Sequence, residues 1–533
     1  MNYKKNSKLQ TWLPLLLSIS IIIGMLIGYS IRGAMPGKKF FSLDKAHTLE
    51  EVISLIENKY VDEVQLNALN DTAIEALLGK LDPHSVYIPA GELQSVNDDI
   101  AGVFFGIGVE FNIINDTINV INVVPNGPSA KGGLLTGDKF LVINDTAVAG
   151  KKITAEKIKS LLRGDLNTNV IISVLRGMRQ QKFTISRGMI PISSVDAAYM
   201  IQQGIGYIRL NKFSQVTYRE FMQTMEKLKK QGLQKLILDL RGNGGGVLDE
   251  ATAIADEFLS GDKLITYTEG KHFPKKEYRC KKEGLFETGA LFVLSDEGTA
   301  SASEILIGAL QDWDRATILG RRSFGKGLVQ EQYDLNDGSA LRLTIARYYT
   351  PIGRSIQRPY NKGDKAYYEE IANRFHDGEV VTIDSVKNDT STVFKTPKGK
   401  ILYGGGGISP DVFVAYDTNM DNRLLSKIIM SGIISDFAYQ YFLQNKENLL
   451  SFKSTADFST NFLLNEDDWL AFNKMAGIDS IDLNKITAIQ KGQMKFRLQA
   501  AIARQIWRNE GFFEILNKQD STIIKALELI GKY

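Results

Sequence analysis

"LILDLRGNGGGVLDEA", Leu236 to Ala251, passes from a short apolar run through a glycine-rich turn into apolar residues at helical spacing. That order reads as strand, tight turn and helix. Neighbouring segments repeat the rhythm: "GIGYIRL" reads as a strand, "YREFMQTMEKLKKQG" as a helix, and "ALFVLS", "RATILG" and "SALRLTIARYYT" as further strands. Residues 191–419 are therefore expected to form a mixed α/β domain, with a polar insertion near 360–400 that ends where "GGGGISPDVFV" restores a strand. The turn has two chemical readings. A dinucleotide site is one, but Gly242, Gly244 and Gly246 depart from G-x-G-x-x-G and no companion acidic strand end follows. The other is a cradle for a developing oxyanion, because free amides at a helix start point at negative charge without reorganising.

Two further segments carry chemistry. "DEGTASASEILIGALQDWDR", Asp296 to Arg315, places the hydroxyls of Thr299, Ser301 and Ser303 at the start of an amphipathic helix. Ser301-Ala-Ser-Glu304 matches a capping box, in which a serine only satisfies free amides. The same position suits a nucleophile, since the positive end of the helix dipole lies beside it. Ser303 falls inside the first turn and is the weaker candidate. In "RRSFGKGLVQEQYDL", Arg321 to Leu335, Lys326 sits between two glycines. Gln330 follows four residues later on an expected strand, and even spacing puts both side chains on one face.

Composition narrows the partners. A chain of 533 residues exceeds one ordinary core, so several domains are expected. Sixty-four Lys and Arg against 61 Asp and Glu leave a net charge of +3, which gives no sign of a nucleic-acid partner. The single cysteine, Cys280, excludes an internal disulfide. His47, His84, His272 and His376 are scattered without metal-ligand spacing to suggest zinc. His84, in "LDPHSVY", reads as a turn residue. At the N-terminus, Lys4, Lys5 and Lys8 precede an uncharged run from Trp12 to Ile31. Its length of about 20 residues and its exit through Arg32 favour an uncleaved signal anchor over a cleaved signal peptide for residues 1–33. The basic flank would leave the N-terminus in the cytoplasm and the body outside.

Between anchor and core, residues 34–97 read as a helical segment, from "TLEEVISLIENKYV" and "NDTAIEALLGKL", closed at Asp82-Pro83. Residues 98–190 change to short β runs with glycine punctuation and one helix, "TAEKIKSLLRG". There "PNGPSAKGGLLTGDKFLVIN" resembles the PDZ segment in which a small-residue helix precedes Gly-Leu-x-x-Gly-Asp and a strand. "FFGIGVEF" has the place and form of that family's carboxylate-binding loop, so Gly106, Ile107 and Gly108 would offer backbone amides to a peptide C-terminus. Residues 420–533 read as a mostly helical region.

Together "TASASE", "LRGNGGG" and "SFGKGLVQ" closely resemble the signatures of the C-terminal processing (tail-specific) protease family of serine peptidases, over about residues 45–415. The fold class so implied is multidomain α/β: membrane anchor, helical segment, PDZ-like β module, mixed α/β protease core and helical C-terminal region. The resemblance implies Ser301 as nucleophile, Lys326 as general base and Gln330 as the group orienting the lysine, with Gly245 and Ala302 supplying oxyanion amides. Some accounts of the family add an acid at the position of Asp312. That residue lies roughly 16 Å along the helix from Ser301 and reads as structural. A lysine base must be neutral, which burial can achieve against an unperturbed pKa of about 10.4. The expected activity is endoproteolysis of exported proteins held by their free C-termini, and the chemistry so implied requires no metal or organic cofactor. The location implied is a bacterial-type cell membrane with the body periplasmic, or the periplasm or exterior if the N-terminal segment is cleaved. An oligomer or adaptor stays open. Two rival readings are a catalytically silent PDZ scaffold and an acyl-CoA-type hydratase or isomerase, which would need neither Ser301 nor a PDZ module.

Overall fold

The computed structural model describes residues 12, 14–15, 17–26, 48–386, 389–418, 423–478 and 481–532. Packing divides the chain into Met1–Ile74 and Glu75–Tyr533. In the first unit, residues 12, 14–15 and 17–26 are helical and exposed, and the helix Thr48–Lys59 buries none of its side chains. The rest of the expected span Trp12–Ile31 lies outside the described residues. No described helix is long and apolar enough to cross a membrane.

In the second unit the β-rich module comes first. Strands Val109–Ile114, Thr117–Val123, Lys139–Ile143, Asn169–Arg176 and Arg179–Ser186 form an antiparallel sheet in that order, with Thr146–Ala147 paired to the third. Asn115 and Asp116, at φ 50° and 53°, make the tight turn between the first two strands, where these residue types tolerate the left-handed region. Alternation puts Val170, Ile172 and Val174 into a core shared with Ile107, Phe140, Ile158 and Leu162. The last two come from the helix Ala155–Leu162, whose N-cap Thr154 accepts the Lys157 amide. A ribbon of Val103–Gly106 with Gly188–Pro191 closes the module and pairs Gly106 with Gly188.

The α/β core is a six-stranded sheet whose spatial order equals chain order: β1 (Val195–Gln202), β2 (Ile205–Leu210), β3 (Lys235–Asp239), β4 (Leu291–Ser295), β5 (Thr317–Gly320) and β6 (Val412–Phe413). β1 is antiparallel to β2, and the rest are parallel. Both faces are covered, which explains the unbroken apolar runs in β3 and β4. Leu236 and Leu238 face helices α1 (Thr217–Lys230), α2 (Leu248–Asp256) and α3 (Ala302–Asp312). Tyr207, Ile237, Phe292 and Leu294 face the other way.

α3 reads as amphipathic in sequence, yet it is buried along its whole length. Its outer side meets a second, antiparallel sheet through Ile265 and Tyr348. That sheet is built on Ala340–Tyr349, which pairs with Val86–Ile88, Leu264–Glu269 and Leu328–Asp334. The 360–400 segment is more than a polar excursion: it holds α4 (Asp364–His376) and the hairpin Asp389–Lys395/Ile401–Gly404. From α4, the buried Arg374 donates to the carbonyls of Ser323 and Phe324.

Residues from 423 onward form a helical region with its own core around Phe437, Phe458, Phe472 and Ile502. Its long helix α5 (Ala488–Leu516) breaks at Trp507 and Arg508, the latter at φ 61°. Arg508 Nη2 donates to the Val123 carbonyl of the β module (2.9 Å), and Asn509 Nδ2 donates to Asp196 of the core (2.9 Å). The region is not a peripheral appendage. Its last helix, α6 (Ser521–Ile530), lays Ile523, Ala526 and Ile530 on the open face of the core sheet, where each fully buried isoleucine contributes about 1.5–3 kcal/mol.

The strand–turn–helix that opens the α/β pattern is fixed from both ends. Asp239, at the end of β3, accepts from Tyr207 Oη (2.8 Å), Arg209 Nη1 (2.9 Å) and Arg241 Nη2 (2.7 Å). Arg241 Nη1 reaches Asp520, the N-cap of α6 (2.8 Å). These cations hold the Asp239 carboxyl well below the usual carboxylate range despite its burial. Further on, Gly246 adopts φ 142° and lies so close to Phe213 that a Cβ would stand 2.0 Å from that residue's carbonyl oxygen, whereas a Cβ on Gly244 meets nothing within 4 Å. Gly246→Ala is therefore expected to lower stability by at least about 2 kcal/mol and Gly244→Ala by less than about 1 kcal/mol, as read from denaturant unfolding.

Candidate active site

Ser301 is the N-cap of α3, at φ 57° and ψ −117°. A non-glycine residue held there stores on the order of 1–3 kcal/mol of strain, so its surroundings must enforce it. They do so through backbone bonds. Glu304 completes a capping box, its Oε2 accepting the Ser301 N–H at 2.9 Å. Asn243, fully buried in the glycine turn, accepts the Ala300 N–H on its carbonyl (2.9 Å), and the same oxygen accepts Ser303 Oγ (3.0 Å). Ser303 is thus a buried structural hydroxyl. Thr299 is another, donating to the Leu240 carbonyl (2.9 Å).

The lysine loop hangs from the same carboxyl group. Glu304 Oε2 also accepts the Lys326 N–H (2.8 Å), while Oε1 accepts the Gly325 N–H (2.8 Å) and Ser323 Oγ (2.5 Å). Ser323 Oγ in turn accepts the Ile408 N–H of the "GISPDV" stretch (2.7 Å). Burial pushes the Glu304 carboxyl above its ordinary range, against the donors that favour its ionised form. On the other side, the hydroxyl of the buried Tyr348 lies between the carbonyl oxygens of Ser301 (3.0 Å) and Lys326. Glu304 and Tyr348 therefore clamp the serine and the lysine by their amides and their carbonyls respectively.

One cleft of about 430 Å³ is lined by Ser301, Ala302, Gly244, Gly245, Gly246, Lys326, Gln330, Arg342 and Tyr348. The glycine turn touches the serine closely: a Cβ on Gly245 would stand 2.8 Å from both Ala302 N and Ser301 Cβ. The Ala302 N–H has no acceptor among the described residues. The Gly245 N–H is given to Asn243 Oδ1 at 2.9 Å, so it must leave that acceptor to serve an oxyanion. Burial, and then the Arg342 charge, push the Lys326 amine below the ordinary lysine range, opposed by Asp82 and Glu304. Gln330 lines the cleft with the lysine although a register shift separates it from Val329. Its amide donates to Thr344 Oγ1 (3.3 Å), which donates to Asp82 Oδ1 (3.0 Å).

"LDPHSVY" packs behind this row. Its turn is made by Asp82 rather than His84: the carboxylate accepts the amides of His84 (2.9 Å) and Ser85 (3.0 Å) and the Ser85 hydroxyl (2.6 Å). The His84 ring bonds Tyr367 Oη (2.8 Å), and burial together with the nearby Lys326 charge pushes it down to about 4. Asp312 closes the far end of α3. It accepts Arg354 Nη2 (2.5 Å) and the Ile352 N–H (3.1 Å), a structural position remote from the serine. No group of three or more His, Cys, Asp or Glu side chains among the described residues could hold a metal ion. In the β module, the amides of Ile107 and Gly108 have no acceptor among the described residues, and Gly108 takes φ 74°.

The sequence profile of peptidase family S41 matches residues 204–365, that of the PDZ domain residues 106–186, and that of a family of unknown function residues 424–508. These matches define a peptidase of family S41 carrying a PDZ domain. A carboxy-terminal-processing protease of Bartonella bacilliformis is 34% identical over 313 residues, 58% of this chain and 71% of that protein. A CtpA-like serine protease of Staphylococcus aureus is 32% identical over 359 residues, 65% of this chain and 71% of that protein. Among solved structures, a photosystem II D1 C-terminal processing protease is similar at 26% identity, covering 69% of this chain and 86% of that one, with a TM-score of 0.35. The chain belongs to the carboxy-terminal-processing proteases, which are serine peptidases.

Glu304 and Tyr348 escaped the sequence reading as site residues, because their site partners are backbone groups of a loop distant in sequence. Two substitutions separate their contributions. Tyr348→Phe is expected to fold with a loss of no more than about 1.5 kcal/mol and to lower kcat about tenfold with little change in KM. In Glu304→Gln an amide nitrogen must face backbone donors, so about 2–3 kcal/mol of stability goes together with most of the activity. Thermal unfolding and peptide cleavage on the same preparations check both.

Proposed function

We propose that the protein cleaves exported proteins, held by their C-terminal tails, through a Ser301–Lys326 dyad. The observation that carries this reading is the meeting of Ser301, the glycine turn and a buried lysine of lowered pKa in one cleft. The neutral Lys326 amine takes the Ser301 hydroxyl proton as Oγ attacks the peptide carbonyl carbon. Negative charge passes to the carbonyl oxygen, which the Ala302 N–H meets directly and the Gly245 N–H meets on leaving Asn243. The carbon–nitrogen bond then breaks, and the Lys326 ammonium protonates the departing amine. Water attacks the acyl-serine with Lys326 taking its proton, and the new carboxyl end departs as Ser301 recovers its hydrogen. Gln330 orients the lysine from the same wall of the cleft.

Substrate capture is assigned to the loop Gly106, Ile107 and Gly108, where the open amides of Ile107 and Gly108 suit a terminal carboxylate and Gly106, paired with Gly188, anchors the loop. The uncharged run from Trp12 to Ile31 anchors the chain in a bacterial-type cell membrane with the catalytic body in the periplasm.

Ser301→Ala and Lys326→Ala are each expected to abolish cleavage with folding intact, whereas Ser303→Ala keeps most of it. Because the Lys326 pKa is lowered, activity should rise with pH through a single ionisation below the ordinary lysine range near 10.4. A pH–rate profile of kcat/KM for the wild type, and turnover by purified Lys326→Ala, are the deciding measurements; retained turnover ends the dyad. Tail capture has its own readout. Peptides with a free C-terminus should be cut faster than their amidated twins at low concentration, and equal rates at every concentration would remove the PDZ loop from substrate choice.

A further inference from the structure

The cleft around Ser301 holds a guanidinium, Arg342, that none of the acyl-transfer steps uses. Its charged lining consists of Lys326, Arg342 and Asp99, and Asp99 at the rim is already paired with Lys212. Arg342 stands on Ala340–Tyr349, in register with Val86 on one side and Gln332 on the other, so its backbone is rigid. Its guanidinium is half-buried. Nη2 donates to Gln332 Oε1 at 3.1 Å, and Gln332 is itself held by Asn97 (3.2 Å). No carboxylate among the described residues pairs with Arg342. A desolvated guanidinium that no carboxylate among the described residues pairs is unfavourable until an anion arrives. The N-terminus of α3 adds to the same positive field. Arginine presents a planar fork that matches a carboxylate bidentately, and one arm here is already oriented by Gln332.

We propose that Arg342 is a specificity-determining residue that binds a carboxylate of the peptide substrate beside the scissile bond. The inference rests on the Ser301–Lys326 reading of the cleft, and it adds a second point of selection to the PDZ loop. The carboxylate comes either from an acidic side chain near the cut or from a chain terminus lying just beyond it. Arg342 has a rival role, acting on Lys326 alone, and that role affects every substrate equally. Selection shows only as a ratio between matched substrates.

The test uses the full chain in detergent and peptides sharing one free C-terminal tail, with Glu or Gln placed in turn at each position flanking the cut. A second arm uses short peptides that end within a few residues of the cut, as free acid or amide. In the wild type, at least one Glu/Gln pair or one acid/amide pair should differ about tenfold in kcat/KM, the carboxylate being preferred. Which arm responds identifies the source. That ratio should fall to near one in Arg342→Gln, survive in part in Arg342→Lys, and turn in favour of a Lys-containing peptide in Arg342→Glu. Should the variants fail to fold, the wild-type ratio itself must shrink as ionic strength rises. Ratios near one at all positions in the wild type, or a ratio unchanged in Arg342→Gln, overturn the proposal. Cleavage by Ser301→Ala in the same assay would instead overturn the dyad.

Discussion

The Glu304 carboxyl group is the constraint on which the catalytic geometry depends. It is fully buried and accepts from Ser301, Lys326, Gly325 and Ser323. Burying such a group without partners is prohibitive, and with them it becomes a rigid joint between α3 and a loop that enters the fold separately. Serine and lysine come from different elements, so their relative placement is a tertiary property. One carboxyl group converts it into short-range bonding. The unusual backbone angles of Ser301 are sustained by the same bonding, since relaxing the turn would strip an acceptor from a buried amide.

Much of this molecule is legible in its amino-acid order. The run Leu236–Ala251 announces a strand, a turn and a helix because covered β-strands are continuously apolar and glycines mark the close approach. The PDZ-like stretch is equally local, with Asn115–Asp116 and the Thr154 cap fixing its turns and helix start. What stays hidden is whatever depends on partners distant in sequence. Ser301 and Glu304 spell a capping box, a local device, yet the same glutamate reaches the lysine loop. Asp82 resembles an ordinary Asp-Pro break but supports Thr344 and, through it, Gln330. Arg342 sits in a strand like any alternating polar residue, and only assembly shows that no carboxylate among the described residues pairs with it. The 360–400 stretch looks polar because α4 points arginine and glutamate side chains at one another and at backbone carbonyls rather than at an apolar core.

The glycine turn sits at the crossing of these networks. Asn243 ties it to Leu210 and to Ala300, Arg241 ties it to Asp520 of α6, and Gly246 lies against Phe213. A single loop thereby reports on the serine, the parallel sheet and the helical region at once. The bonds of Arg508 and Asn509 extend the same continuity to the PDZ module and to β1.

The placement of α6 has a kinetic corollary. Ile523, Ala526 and Ile530 cover the face of the sheet that carries Ile237 and Phe292, yet in chain order they come only after the entire helical region has been made. Until they dock, that face is bare and Arg241 lacks its Asp520 partner. Contacts this far apart in sequence form late and slowly. The polypeptide must therefore travel a long way as an incomplete fold whose glycine turn is not yet braced. An apolar sheet face that only the last helix of the chain covers is, until that helix docks, a surface exposed to aggregation.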